Sequence, residues 1–198
     1  MTLDECLTGE QIASEITKKA TSRILFLYRQ ANFLDSKRKK MVASALIQCH
    51  FDYTSSSWFS SLTQKTKNKL QITQNKMIRY ILDLQPRDHI GKEQFDQVSM
   101  LNVCNRVTQL KLCHVFKIFH KQSPHYLQEY FHRPSESHSH NTRGSRFYYS
   151  KPKLNGQIKN TFYATAIDKW NSLSPAMKQL INYKCFKSDV KKLLMLSQ

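Results

Sequence analysis

The apolar positions of this chain follow a helical rhythm. Ile12, Ile16, Ala20, Leu27, Ala31 and Leu34 fall on one face at 100° per residue. This predicts a first helix from about Glu10 to Leu34, opened by a capping box of Thr8 with Gln11 three residues later. Asp35 and Ser36 can cap a second helix that runs through Met41, Ala45 and Leu46 to about Cys49. The stretch from Phe51 to Trp58, rich in Ser and aromatics, reads as a connection packed on the helices. Further on, residues 102 to 121 are apolar on most sides, through Val103, Val107, Leu110, Leu112, Val115, Phe116, Ile118 and Phe119, which predicts a central buried helix. Ser123-Pro124 starts a short helix to about Tyr130. Two helices close the chain, one from about Gln157 to Leu173 and one from about Tyr183 to Leu196. The last places Phe186, Val190, Leu193 and Leu194 on one side and Lys184, Lys187 and Lys191 opposite.

The third helix, expected from about Ser61 to Leu84 and ended by Pro86, divides its faces most clearly. Lys69, Lys76 and Arg79 lie within about 40° of Lys65 around the axis, forming one basic stripe. Leu70, Met77, Ile81 and Leu84 point toward a core on another side. Such a helix can lie along a phosphate backbone, or it is an ordinary amphipathic helix with a basic polar side.

Composition narrows the class. With 4 Gly and 5 Pro, turn signals are sparse, favouring helices over a many-stranded sandwich. The chain is expected to be mainly α. The regions expected are 1–60, 61–131, an irregular basic loop at 132–156, and a closing helical pair at 157–198. The net charge of +17 is unevenly placed. Residues 1–60 hold 8 Lys/Arg against 6 Asp/Glu, whereas residues 61–198 hold 23 against 8. That asymmetry points to a polyanionic partner for the later part, an RNA or DNA backbone bound without sequence specificity rather than a membrane. A surface kept soluble by charge is the alternative. The run Ile24-Leu25-Phe26-Leu27-Tyr28 is far shorter than the roughly 20 apolar residues of a membrane span. The opening Met-Thr-Leu-Asp-Glu is acidic where a signal peptide is basic, so an intracellular location, nuclear or cytoplasmic, is expected. Five cysteines without close pairs fit a reducing compartment.

Between His132 and Asn160 the helical pattern breaks. His132, His138, His140, Arg143, Arg146, Lys151, Lys153 and Lys159 surround Phe147-Tyr148-Tyr149, with Glu136 the sole acid. Cations interleaved with rings suit single strands or RNA loops. The competing expectation is a solvated linker with Phe147 and Tyr149 pinned to the core. No metal or other cofactor is expected. Cys104 and Cys113 are nine residues apart, which puts them on opposite sides of a helix, and His132, His138 and His140 lack a paired-cysteine motif. No phosphate-binding Gly-rich loop and no nucleophile elbow is present. The 14 carboxylates are scattered, against the clustering that two-metal phosphoryl transfer requires.

Several segments resemble the part of LINE-like (jockey-like) non-LTR retrotransposon reverse transcriptases that follows the polymerase palm. Leu3-Asp4 through Leu27-Tyr28-Arg29 looks like the start of the thumb. Tyr53 to Trp58 is similar to a Tyr-Cys-x-x-x-Trp segment, with Thr54 in place of Cys. Gln74-Asn75-Lys76-Met77-Ile78-Arg79 is similar to a Gln-x-Lys-x-x-Arg helix. His138 to Arg143 resembles His-x-Tyr-Asn-Thr-Arg, with His140 at the Tyr position. Trp170-Asn171-Ser172-Leu173-Ser174-Pro175 resembles Trp-Asn-Ser-Leu-Pro, and Phe186-Lys187 opens a Phe-Lys-x-x-x-Lys helix.

The resemblance implies an origin in an RNA-directed DNA polymerase, with a thumb-like antiparallel helical bundle near residues 1–60 and post-thumb helices after it. The palm with the family's catalytic aspartates would lie upstream, so no polymerase activity is expected of these residues alone. The expected capacity is RNA or DNA binding, with Lys65, Lys69, Lys76, Arg79, Arg143, Arg146, Lys151 and Lys153 as candidate contacts. A helical protein-interaction module and a translated remnant without a role are the alternatives.

Overall fold

The computed structural model describes residues 8–134, 147–151 and 159–198. The secondary structure is mainly helical, and among the described residues there is no strand. The chain forms two compact units, Met1–Val107 with Ser197–Gln198, and Thr108–Leu196. These cut across the four regions expected from sequence, because the apolar face of a helix from the first region packs on that of a helix from the second.

In the first unit, α1 (Glu10–Arg29) buries Ile12, Ala13, Ile16, Ala20, Ile24 and Leu27. The expected Thr8 cap is corrected by Gly9, which occupies the N-cap position in the left-handed region at φ 73°, while Thr8 Oγ1 accepts from the Glu10 amide at 3.4 Å. The helix stops at Arg29, short of Leu34, and a 3-10 turn at Ala31–Phe33 follows. Leu34 is extended because Asp35 caps the next helix, its carboxylate accepting from the Arg38 amide at 2.7 Å. That helix, α2 (Ser36–Ala43), continues through a π-helical stretch (Ser44–Gln48) into α3 (Cys49–Asp52). The expected connection is itself built of short helical turns, α4 (Ser55–Trp58) and a 3-10 turn at Phe59–Ser61, entered through Thr54 at φ 49°. Trp58 and Phe59 are buried.

The longest helix after α1 is α5 (Gln64–Leu82), capped by Thr63, whose hydroxyl accepts from the Thr66 amide. It ends before Pro86, at Asp83, whose left-handed conformation (φ 55°) lets the Leu84 amide reach the Arg79 carbonyl at 3.0 Å. A short α6 (Lys92–Gln97), not anticipated from the pattern, is held at its start by the Gln94 side chain accepting from the Gly91 amide at 2.8 Å.

The helix α7 (Val103–Phe119) contributes its first residues to the first unit and the rest to the second. Six of its eight expected core positions are buried, Val103 and Val107 in the first core and Leu112, Val115, Phe116 and Ile118 in the second, whereas Leu110 and Phe119 are half-buried. The second unit adds α8 (His125–Glu129), α9 (Phe162–Asn171), the unanticipated α10 (Pro175–Lys178) and α11 (Tyr183–Leu196), the last with the bounds expected. Its core is aromatic. Phe116 stacks on Phe186 at 4.4 Å, Phe119 lies 5.3 Å from Trp170, and Trp170 is fully buried with its Nε1 donating to the Phe147 carbonyl at 3.0 Å. Rings give a small core large contact area with few rotamers to order.

Candidate nucleic-acid interface

The α5 segment carries Lys65, Lys67, Lys69, Lys76 and Arg79 and no carboxylate. Its inner face, with Leu70, Met77, Ile78, Tyr80 and Ile81, is buried against α1 and α2, which holds the basic stripe outward. Lys65, Lys69 and Lys76 are exposed. Arg79 is half-buried and serves the fold, since its Nε and Nη2 donate to the Asp88 carbonyl at 3.1 and 2.8 Å and hold the loop after α5.

A cation that the helical pattern did not single out joins this face. Lys18 of α1 and Lys69 of α5 line one groove of about 190 Å³, floored by Ala13, Ser14, Thr17 and Thr66. Small side chains let a ligand backbone approach, and the two ammonium groups can meet phosphates there. Glu10 sits at the same groove but its carboxylate is engaged, accepting from the Thr63 amide at 2.8 Å and from the Thr66 hydroxyl at 2.5 Å. Burial pushes the Glu10 carboxyl up, but these hydrogen bonds and Lys69 outweigh it and hold it below the usual glutamate value. Glu10 therefore staples the starts of α1 and α5 while remaining anionic.

Other cations are taken up by the fold. Lys39 is buried, paired with Asp83 and 5.9 Å from the Tyr80 ring centre. Arg106 forms a two-point pair with Asp52. Lys111 is buried with its ammonium 2.6 Å from the Thr165 hydroxyl. Lys178, fully buried, donates to the Asn171 carbonyl at 2.9 Å beneath the Tyr148 ring, 3.7 Å away, and burial lowers its pKa. These four cations thus serve the fold.

Of the expected loop contacts, Arg143, Arg146 and Lys153 lie outside the described residues. Lys151 is exposed and pairs with Asp168 at 2.9 Å, an arrangement worth little in water. The rings expected as stacking platforms are engaged in the second unit: Tyr149 is buried against Phe131 and Phe147 stacks toward Phe119 at 6.4 Å. Among the described residues no group of three or more His, Cys, Asp or Glu could hold a metal ion, and no helix is long and apolar enough to cross a membrane. Cys49 and Cys185 are free thiols.

Compared with protein families, with curated proteins and with solved structures, the chain matches none.

Proposed function

We propose that this chain is the thumb and post-thumb portion of a LINE-like reverse transcriptase and that it binds RNA or DNA through the phosphate backbone. One observation carries the binding reading: Lys65, Lys69 and Lys76 share the exposed side of an acid-free helix, and Lys18 joins them across a groove of small residues. Cations fixed along a rigid element at helical spacing can follow a strand without reading its bases. The motifs near Tyr53, Gln74 and Trp170 support the origin.

The test is a salt series. Each neutralised phosphate contributes about 0.9 to the slope of log affinity against log salt for duplex DNA and about 0.7 for single strands. Replacing Lys18, Lys65, Lys69 and Lys76 together with Gln flattens that slope by up to roughly 3.6 for duplex DNA or roughly 2.8 for single strands and weakens all sequences alike. An unchanged slope moves the contact elsewhere, and no binding by the parent at low salt overturns the reading. Primer extension by the chain alone, with Mg²⁺ and deoxynucleotides, is not expected.

A second reading, a protein-interaction module, draws on Leu25, Phe26 and Phe33. These are 60%, 55% and 78% exposed within one short stretch of chain, more apolar surface than a solvated helix end needs. Self-association or partner capture that Leu25→Ser and Phe26→Ser abolish, without any nucleic-acid binding, would favour it.

A further inference from the structure

Beside its basic stripe, α5 presents a second polar row made of carboxamides. Gln64, Asn68, Gln71 and Asn75 succeed one another at three- and four-residue spacing. All four line a cleft of about 380 Å³ that lies wholly within the first unit. That volume falls in the usual range for ligand-binding clefts, about 300–1,000 Å³. Phe59, Ile90 and Phe95 supply its apolar wall. Lys67 and Lys92 are also in the lining, Lys67 lying 5.5 Å from the Phe59 ring centre, and none of the described residues that line the cleft is acidic.

The carboxamides hydrogen-bond in two separate sets, Gln74–Gln71–Asn75 and the exposed pair Gln64–Asn68. Buried Gln74 donates to the Leu101 carbonyl at 2.9 Å and accepts from Gln71 Nε2 at 3.1 Å. Gln71 in turn accepts from the Val103 amide at 3.0 Å and donates to Asn75 Oδ1 at 2.9 Å. Gln64 Nε2 donates to Asn68 Oδ1 at 2.9 Å. In both asparagines the oxygen is occupied. Neither Nδ2 has a protein partner among the described residues, which leaves two oriented amide donors, two helical turns apart, at the cleft. Fixed carboxamide donors beside an apolar wall match the edge and the face of an unpaired base. The neighbouring Lys65, Lys69 and Lys76 stripe gives the attached phosphates a place to lie.

We propose that this cleft receives unpaired bases of a single strand whose phosphates run along the Lys65–Lys69–Lys76 face, with Asn68 and Asn75 donating to base carbonyl and ring-nitrogen acceptors. The proposal rests on the nucleic-acid reading above and adds a site to it. A neutral extended peptide could also use carboxamide donors. The acid-free lining and the adjoining cations favour the polyanion.

The experiment compares two fluorescent strands of about 12 nucleotides, within the usual footprint of single-strand binders. One is DNA of mixed sequence and the other carries abasic residues throughout on the same backbone. The parent is expected to prefer the base-bearing strand by about tenfold, the scale of a stacked and hydrogen-bonded base. The double variant Asn68→Ala, Asn75→Ala reduces that preference severalfold, to what the apolar wall alone supplies. It keeps the parent's affinity for the abasic strand, its salt slope and its melting temperature. Equal affinity of the parent for both strands, or a preference left unchanged by the double substitution, overturns the proposal while backbone binding stands. Failure of the parent to bind either strand removes the nucleic-acid reading itself, and the proposal with it. Binding of a capped, uncharged polar peptide, weakened by the same variant, would overturn it in favour of a protein strand.

Discussion

The side-chain amide of Asn171 grips both backbone groups of Tyr149: its Nδ2 donates to the carbonyl at 2.9 Å and its Oδ1 accepts from the amide at 3.1 Å. The grip imitates one rung of a strand pair across 22 residues of sequence. Neighbouring bonds from Trp170 Nε1 to the Phe147 carbonyl and from Lys178 to the Asn171 carbonyl extend it. Asn171→Asp keeps the acceptor and removes the donor, setting a carboxylate against the Tyr149 carbonyl. It should cost about 1–3 kcal/mol, the penalty of an unsatisfied backbone group. Urea unfolding followed by near-ultraviolet dichroism checks this, and an unchanged midpoint would show that the grip does not hold the segment.

Arg106 Nε and Nη2 donate to the two Asp52 oxygens at 3.0 and 2.6 Å, with about a quarter of each side chain exposed (26% and 25%). The planar fork fits the carboxylate in a way an ammonium cannot. Arg106→Lys should lose about 1 kcal/mol and Arg106→Ala about 2 kcal/mol, below the 3–5 of a fully buried pair because solvent screens this one. Equal stability of all three proteins in denaturant titrations would assign the pair no role.

Gly9 sits at φ 73°, and a Cβ there would lie 2.9 Å from Trp58 Cβ and 3.2 Å from the Trp58 carbonyl. Strain and overlap act together, so Gly9→Ala should destabilise by about 2 kcal/mol or more. Thermal melting is the measure. A variant as stable as the parent would mean that the chain before α1 can shift away from Trp58 at no cost.

Three histidines held below their usual pKa make the fold sensitive to mild acid: His114, through burial and Lys117, and two whose ring nitrogens are buried, His50 and His120. Burial lowers the pKa of His50, helped by Arg23 and Lys19, and burial lowers that of His120, opposed in part by a hydrogen bond with the Leu180 backbone. The Nε2 of each is buried without a hydrogen-bond partner. The unfolded chain takes up these protons near pH 6.5, whereas the folded chain resists them until lower pH. Stability therefore falls as pH drops below about 6.5 and levels off once the folded pKa values are passed. Melting temperatures at pH 7.5 and 5.5 should differ in that sense, and the difference should shrink in His50→Gln, His120→Gln. A double variant with the parent's pH dependence would place the acid sensitivity in other groups.

The long elements α1, α5, α7 and α11 are legible in the chain because each repeats its apolar spacing over several turns, information that is local. The outward direction of Lys65, Lys69 and Lys76 followed from the same periodicity, since burying Leu70, Met77 and Ile81 leaves the other side to water. The short α6 and α10 had too few turns to show a period and stand on caps and neighbours. Which of the other cations face solvent was decided by tertiary structure. Arg79 falls within the stripe by angle, yet the Asp88 carbonyl claims it, and Lys39, Lys111 and Lys178 are carried inside by the elements that bear them. Lys18 meets Lys69 only because α1 packs on α5, and no pattern within either helix reports that meeting. Periodicity tells a helix which side is inward; only packing decides what the inward side meets and which charges remain outside.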